Sequence, residues 1–154
     1  MKLARLLQWP EINLAIFAFL LNLVWEMWQV PFFLGIGEQP HWQGIKLCTW
    51  ATMGDVEITL AAFWVTAIVA RSRNWLVHPG RLYLFIFVGT GLAATIIFEA
   101  LALGPLERWS YSDTMPRLPI LGTGLLPLLQ WLVLPPLIIW FARRQMGASL
   151  HASL

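Results

Sequence analysis

The amino-acid sequence predicts an all-α integral membrane protein, built as a four-helix bundle with short loops. Of the 154 residues, 58% are hydrophobic and only 12% are charged, about half the charged share of a soluble domain. Four apolar stretches each approach the roughly 20 residues that a membrane-spanning helix needs. The basic residues gather in alternate loops. At this length we expect one transmembrane domain over residues 1–154.

Hydropathy places the four predicted spans at about residues 12–34, 45–70, 81–103 and 118–142. The preceding segment contains Lys2, Arg5 and Trp9, which is typical of an interfacial lead-in. Pro135 and Pro136 fall inside the fourth span, so we expect a kink or a break there.

Loop charges predict the orientation of the bundle. Seven of the ten Lys and Arg residues fall on one side, in the N-terminus, the second loop and the C-terminal end: Lys2, Arg5, Arg71, Arg73, Arg81, Arg143 and Arg144. The positive-inside rule then puts both termini in the cytoplasm, and we expect a bacterial inner membrane. Because the excess positive charge lies in short loops, it indicates membrane topology and not nucleic-acid binding.

Four of the eight acidic residues lie inside the predicted spans, without any Lys, Arg or His beside them: Glu26, Asp55, Glu57 and Glu99. An ionisable group inside a membrane is by default a candidate functional group. Such acids must hold protons, share protons, hydrogen-bond to neutral groups, face water or bind a cation. Helix rise puts all four in the outer half of the bilayer or near its midplane, with Gln130 deeper.

Helical spacing groups the polar residues into stripes that should face the bundle interior. Asn22, Glu26 and Gln29 share one face of the first span, and the second span carries a stripe of Cys48, Thr52, Asp55 and Thr59. Glu57 lies about 200° around the helix from Asp55, so the two carboxyls cannot enter the same narrow pocket. For the neutral members, interhelical hydrogen bonding and ligand binding both stay open.

These features predict acid/base chemistry. A carboxyl in apolar surroundings can hold a proton and act as a general acid, and Trp25, Trp28, Trp50 and Trp64 flank Glu26 and Asp55 in sequence. Indole faces stabilise a developing cation. We therefore expect a cofactor-free enzyme that cyclises or isomerises an apolar isoprenoid or lipid substrate, with Glu26, Asp55 and Glu99 as catalytic residues.

The predicted substrate-binding residues combine the interior stripes with the third loop: Asn22, Trp25, Gln29, Trp50, Thr52, Trp109, Tyr111 and Gln130. The loop, residues 107–116, is rich in polar and aromatic residues. It either folds back as a lid, with Arg108 or Arg117 supplying a counter-charge, or forms an ordinary interfacial turn. Both interpretations stay open here.

The stretch Asn22-Leu23-Val24-Trp25-Glu26 resembles the fungal integral-membrane meroterpenoid cyclases, over about five residues. That family is small, all-helical and multi-spanning, with more spans than this chain, and uses membrane acids as proton donors. The resemblance implies that Glu26 is the proton donor and Asp55 a second acid. The whole chain also resembles small bacterial membrane proteins of the Trp-Glu-x-x-Gln type, a likeness that implies no activity.

Two other functions remain open: a proton- or cation-coupled transporter, and an accessory or pigment- or quinone-binding subunit of a membrane complex. The expected partners are membrane lipids and an apolar small molecule, with homo-oligomerisation open. We expect no metal, because the sequence lacks a Glu-x-x-His pattern and because His41, His78 and His151 lie outside the spans.

Overall fold

Four helices make up the computed structural model, which describes residues 8–119 and 122–151, the last four as backbone only. Helix α1 is Pro10–Gln29, α2 is His41–Ala70, α3 is Arg81–Leu103 and α4 is Leu125–His151. Each is long and apolar enough to span a membrane, so the predicted all-α membrane bundle is confirmed. Residues 1–7 of the predicted lead-in lie outside the described residues.

The helix boundaries depart from the predicted spans where proline and loop pairing intervene. Helix α3 has the predicted bounds. Helix α1 gives way to a 3-10 turn at Val30–Phe32, because Pro31 lacks the N–H that an α-helix needs. Helix α4 begins at Leu125, seven residues later than predicted. The backbone N–H of Leu118 donates to Thr123 O (2.9 Å) and that of Leu125 to Pro116 O (2.7 Å), which keeps this segment out of the helix.

Of the kink or break expected at the two prolines, the break does not occur, and the kink stays a prediction. Helix α4 continues through Pro135 and Pro136. Each proline removes one backbone donor from the helical ladder, but Leu134 and Ile138 on either side are buried in the core. Their packing stabilises the helical backbone despite the two missing hydrogen bonds.

Each helix packs chiefly against its two neighbours in the cycle α1–α2–α3–α4. Because short segments connect successive helices, the helices alternate in direction. We call the end where α1 and α3 finish and α4 begins the acidic end, because Glu26 and Glu99 lie there. We call the opposite end, which carries the connection at residues 71–80, the basic end.

An apolar core fills the bundle towards the basic end. Its fully buried members are contributed by all four helices and by the 3-10 turn Arg73–Leu76: Leu14, Ala18, Ala62, Phe63, Leu76, Phe87 and Ala142. At the rim, the Arg73 guanidinium donates two hydrogen bonds to Glu11, of 2.5 and 2.9 Å. Arg73 also lies over the rings of Trp9 and Trp64.

Helices α3 and α4 approach closely at a glycine. The Trp131 side chain is 3% exposed and lies directly over Gly91, where an added Cβ would come within 2.0 Å of the indole ring. Since only glycine leaves room for the ring, Gly91 fixes how deeply Trp131 enters the bundle.

This contact predicts opposite effects of alanine at two glycines of α3. Gly91→Ala forces the Trp131 ring to move, and we expect it to lower the free energy of unfolding by about 1–3 kcal/mol. Gly89→Ala meets open space, and the gain in helix propensity should raise stability by up to about 1 kcal/mol. Reversible denaturation of the detergent-solubilised variants measures both. Equal stability of the two variants would contradict the close approach.

Candidate functional site

Helix α1 contributes three polar side chains on one face near the acidic end. Asn22 and Gln29 are buried and Glu26 is half-buried. The Gln29 amide Nε2 donates to Glu26 Oε1 at 2.7 Å. Asn22 Nδ2 donates to Ala18 O within the same helix at 2.8 Å, which leaves Asn22 Oδ1 available to another helix.

Helix α2 directs Asp55 towards this face. Thr52 and Thr59, one turn away on either side, are buried, and each donates its hydroxyl to a carbonyl of its own helix at 2.8 Å. Their polar groups are therefore satisfied within α2. Cys48 Sγ lies 3.8 Å from Glu26 O and donates to it. Besides this thiol contact with α1, the carboxyl of Asp55 is the group of this stripe that reaches across to a neighbouring helix.

Gln130 of α4 joins these groups. Its buried Nε2 donates to Asn22 Oδ1 at 2.8 Å and to Asp55 Oδ2 at 2.9 Å, and lies 3.4 Å from Glu26 Oε1. A primary amide carries two hydrogens, so the two short bonds use both and the Glu26 contact is shared. Gln130 was predicted deeper than the acids. It lies level with them because α4 begins at Leu125.

The Glu26 and Asp55 carboxyls therefore approach the same nitrogen atom, Gln130 Nε2, at 3.4 and 2.9 Å. Two ionised carboxylates at one site repel each other, so such a pair favours a proton on one of its members. We call these two groups the carboxyl pair. Within the described residues the ion pair present joins Arg73 to Glu11 at the other end, so neither member of the pair has a basic partner.

The third loop folds over the acidic end, as the lid interpretation predicted. Its backbone pairs with the end of the first span: Leu34 N–H donates to Ser110 O (2.9 Å) and Ser112 N–H donates to Phe32 O (3.0 Å). Tyr111 and Met115 are buried, packed with Leu126 of α4. The loop is therefore part of the packed structure and not an ordinary interfacial turn.

Tyr111 connects this lid to the third acid. Its hydroxyl donates to Glu99 Oε2 and accepts from the Gly124 backbone N–H at 3.0 Å. An added Cβ at Gly124 would come within 2.9 Å of the Tyr111 ring, so this glycine is required for the contact. Glu99 in turn lies close enough to the carboxyl pair for their charges to interact.

Neither loop arginine supplies the expected counter-charge. Arg117 Nη2 donates to Tyr111 O at 3.2 Å, and its guanidinium lies 5.3 Å from the Tyr111 ring centroid. Arg108 is exposed. In the part of the chain that the structure describes, neither forms an ion pair with an acid. The acids are satisfied by neutral donors instead, namely Gln29, Gln130 and Tyr111.

The tryptophans do not form the lining that their sequence positions suggested. Trp28, Trp50 and Trp64 are 57, 75 and 48% exposed. Positions 50 and 64 lie on the face of α2 opposite its buried threonines, because two residues correspond to a rotation of about 200°. Trp25 is half-buried against the core, and Trp109 packs against the lid cluster. The part of Trp50 in substrate binding stays a prediction that this placement does not favour.

An open depression of about 540 Å³ lies beside the lid. Its lining comes from the end of α3 and from the third loop and includes Leu103, Ser110, Tyr111 and Arg117. Its volume is within the range of small-molecule sites. Tyr111 is common to this depression and to the Glu99 contact, so a molecule bound there would touch the residue that holds Glu99.

Metal binding finds no support within residues 8–119 and 122–151, where no three His, Cys, Asp or Glu side chains converge as a metal site.

The chain matches no protein-family model, and no curated protein or solved structure is significantly similar to it. The function must therefore be argued from the residues of the site.

Sequence reasoning missed the part that the loop backbone plays at this end. Gly124 is a close-packing site against Tyr111, whereas Gly122 faces open space and adopts φ +64°, a turn conformation that glycine favours. The Gly-Thr-Gly sequence before an apolar run was the available signal.

Removal of the Gln130 amide should destabilise the bundle. Gln130→Leu leaves Asn22 Oδ1 and Asp55 Oδ2 without their interhelical donor, and we expect a loss of about 1–2 kcal/mol in the free energy of unfolding. The control is Thr59→Val, which removes a buried hydroxyl bonded only within α2. If both variants lose the same amount, the amide has no special role in joining the helices.

Burial, reinforced by the negative charge of Glu99, raises the pKa of Tyr111 above its ordinary value near 10. The folded state therefore retains the phenolic proton at a pH where the unfolded state releases it. This contribution to stability is complete below about pH 10 and declines as the pH rises further.

We expect Tyr111→Phe to lower the free energy of unfolding at pH 8 by about 1 kcal/mol, because the hydroxyl contacts are lost. Above pH 10 the free energy of unfolding should fall less steeply with pH in this variant than in the wild type. Denaturation midpoints between pH 8 and pH 11 measure both effects. Tyr83→Phe, which removes the hydroxyl of the chain's other tyrosine, should keep the alkaline decline of the wild type. A Tyr111→Phe curve parallel to the wild-type curve would refute the assignment.

Proposed function

We propose that this protein is a multi-pass membrane enzyme that uses the carboxyl pair for acid/base chemistry on an apolar isoprenoid or lipid substrate, with cyclisation or isomerisation as the reaction. The observation that carries this proposal is the convergence of the Glu26 and Asp55 carboxyls on one amide nitrogen, Gln130 Nε2. In the proposed reaction one group of the pair holds a proton while the other accepts one, and these are the two functions that a proton-transfer reaction needs.

The surroundings of the pair support proton transfer. Gln130 and Gln29 donate hydrogen bonds to its oxygens and bring no positive charge that would hold both carboxyls ionised. Glu26 and Asp55 are half-buried residues and are not sealed inside the bundle. Because the bundle is surrounded by hydrocarbon, the substrate must partition into lipid.

The proposed step conserves atoms and charge. The protonated carboxyl, assigned to Glu26, adds its proton to a carbon of a substrate double bond and leaves a carbocation. That cation rearranges or is attacked by a second double bond, and Asp55 then removes a proton from a neighbouring carbon. The product is an isomer of the substrate, and the two carboxyls have exchanged protonation states, so Asp55 must release its proton to water and Glu26 must take one up before the next turnover.

A transporter is less well supported. The half of the bundle nearer the basic end is filled by side chains such as Leu14, Phe63 and Phe87, which are fully buried. The buried Thr66 hydroxyl in this half donates to a carbonyl of its own helix. The arrangement favours a site reached from one end over a path across the membrane.

An accessory membrane subunit is the second candidate. The outward position of Trp50 and Trp64 suits contact with another membrane component better than it suits an enclosed aromatic pocket. In that case the carboxyl pair would hold helices together. A stoichiometric partner protein that co-purifies with the chain would favour this candidate.

We also propose that both termini are cytoplasmic and that the acidic end faces the exterior of a bacterial inner membrane. Support comes from the arginines at the basic end, Arg71, Arg73 and Arg81, together with Arg143 and Arg144 near the end of α4.

The proposed reaction predicts deuterium incorporation. Purified protein in liposomes, supplied with a total apolar lipid extract in D2O, should form an isomeric product in which one deuterium replaces one hydrogen, detected by mass spectrometry. Glu26→Gln and Asp55→Asn should each lower the rate at least 100-fold, the usual scale of acid/base catalysis.

The matched control is Glu57→Gln, the same change in charge two residues from Asp55 on the outward face of α2; it should keep the wild-type rate within about twofold. Full activity in both Glu26→Gln and Asp55→Asn, in folded protein, would exclude the mechanism. Deuterated product formed equally by protein-free liposomes would also count against it.

A further inference from the structure

Glu57 lies on the outward face of α2, in the middle of a membrane span. At 1.5 Å per residue it is about 24 Å from His41 and about 20 Å from Ala70, the two ends of the helix. Its side chain is exposed and, among the residues that the structure describes, it has no hydrogen-bond or ion-pair partner. A lone bundle would present this carboxyl to hydrocarbon near the bilayer centre, where an ionisable group is costly.

Glu57 belongs to a continuous seam along α2 with spacings of four, three, four, three and four residues: Trp50, Gly54, Glu57, Ala61, Trp64 and Ile68. Five of these are exposed and Gly54 is half-buried. This is the 3.5-residue period with which one helix packs along another in a left-handed pair. The period is sustained for 19 residues, and within the bundle the seam's ring contacts are those of Trp64 with Arg73 and with the adjacent Phe63.

The side chains of the seam are smallest on either side of Glu57, and we call this part its narrow section. Gly54 and Ala61 lie one turn to either side, and a Cβ added at Gly54 would meet no atom within 4 Å. Small residues let the backbones of two membrane helices approach closely. Trp50 and Trp64, each seven residues from Glu57, then flank this narrow section symmetrically. Helix approach is therefore easiest at the level of the unpaired carboxyl.

The hydrogen-bonding capacity of the Glu57 carboxyl determines which partner can bind to this seam. A partner must offer, near the bilayer midplane, a group that can donate to or accept from a carboxyl. The other outward faces of this bundle present apolar side chains along the spans, for example Leu20, Ile97 and Leu137. Among the exposed side chains that the structure describes in the middle of the spans, Glu57 is the carboxyl that a second copy offers at this depth. A two-fold axis along the membrane normal brings the two Glu57 residues to the same depth.

We propose that the α2 seam is the interface of a homodimer, in which the two α2 helices pack in parallel and the two Glu57 carboxyls hydrogen-bond across the two-fold axis. A carboxyl that carries a proton both donates and accepts, so the pair is self-complementary without a basic residue. The interface faces away from the carboxyl pair of the proposed active site and does not depend on the proposed reaction.

Cysteine cross-linking in liposomes tests this contact. In a Cys48→Ala background, which removes the only native cysteine, Ala61→Cys should form a disulfide-linked dimer with copper phenanthroline as oxidant. Ile97→Cys and Leu137→Cys place a thiol on the outward faces of α3 and α4 and should form little. Equal cross-linking at all three positions would show random collision and overturn the proposal.

Dilution of fluorescently labelled protein into increasing amounts of lipid measures the dimer constant. Wild type should dimerise, and Ala61→Ile should weaken the dimer more than tenfold because it widens the narrow section. Glu57→Leu should weaken it by about 3- to 20-fold, the range for one interhelical hydrogen bond. Glu57→Gln, whose amide also donates and accepts, should stay close to wild type.

A wild type that remains monomeric at the lowest lipid ratio would overturn the proposal, as would a Glu57→Leu dimer as strong as the wild type. Isolation of α2 cross-linked to a different protein would show that the seam binds that protein, and it would equally exclude the homodimer. Each variant is checked for folding by its denaturation curve, so loss of the dimer is separated from loss of the bundle.

Discussion

The structure depends on one constraint: acidic groups within a membrane span must be satisfied without water and without a base. The bundle meets it with neutral amides. Gln130 of α4 holds Asn22 of α1 and Asp55 of α2 at 2.8 and 2.9 Å, and Gln29 holds Glu26. Because a hydrogen bond tolerates little displacement, these contacts fix the rotation and the depth of three helices together. The position of the acids therefore follows from the requirement to bury their hydrogen-bonding groups.

This constraint divides the bundle into two halves with different chemistry. Towards the basic end, contacts among apolar side chains hold the helices together, and within the part of the chain that the structure describes no buried side chain there is titratable. Towards the acidic end, interhelical hydrogen bonds join the helices, and Tyr111 of the third loop adds a hydrogen bond to Glu99. A loop that satisfies a buried acid is fixed by that acid, since detachment would leave Glu99 without its donor. The lid and the site are thus one unit.

Hydropathy and helical period predicted the four helices and the stripes of α1 and α2, because both depend on local pattern. They misplaced the start of α4, since the sequence after Arg117 is as apolar as a span, whereas in the structure Leu118 bonds to Thr123 and Leu125 bonds to Pro116 ahead of the helix. Sequence spacing also showed that Asp55 and Glu57 must diverge. It could not show which of the two carboxyls enters the bundle, because that depends on the rotation of α2 about its axis relative to its neighbours. The same rotation places Trp50 and Trp64 on the outside of the bundle.

Asp55 and Glu57 therefore have different roles although they are two residues apart on one helix. Asp55 accepts a hydrogen bond from Gln130 of α4 inside the bundle, beside Glu26 of α1. Glu57 has no such donor among the residues that the structure describes, and it is exposed on the outward face of α2. A structural explanation that applied equally to both, such as general stabilisation of the helix, would not produce one partnered and one unpartnered carboxyl. This difference in surroundings is what supports the proposed chemistry at Asp55 and the proposed association at Glu57.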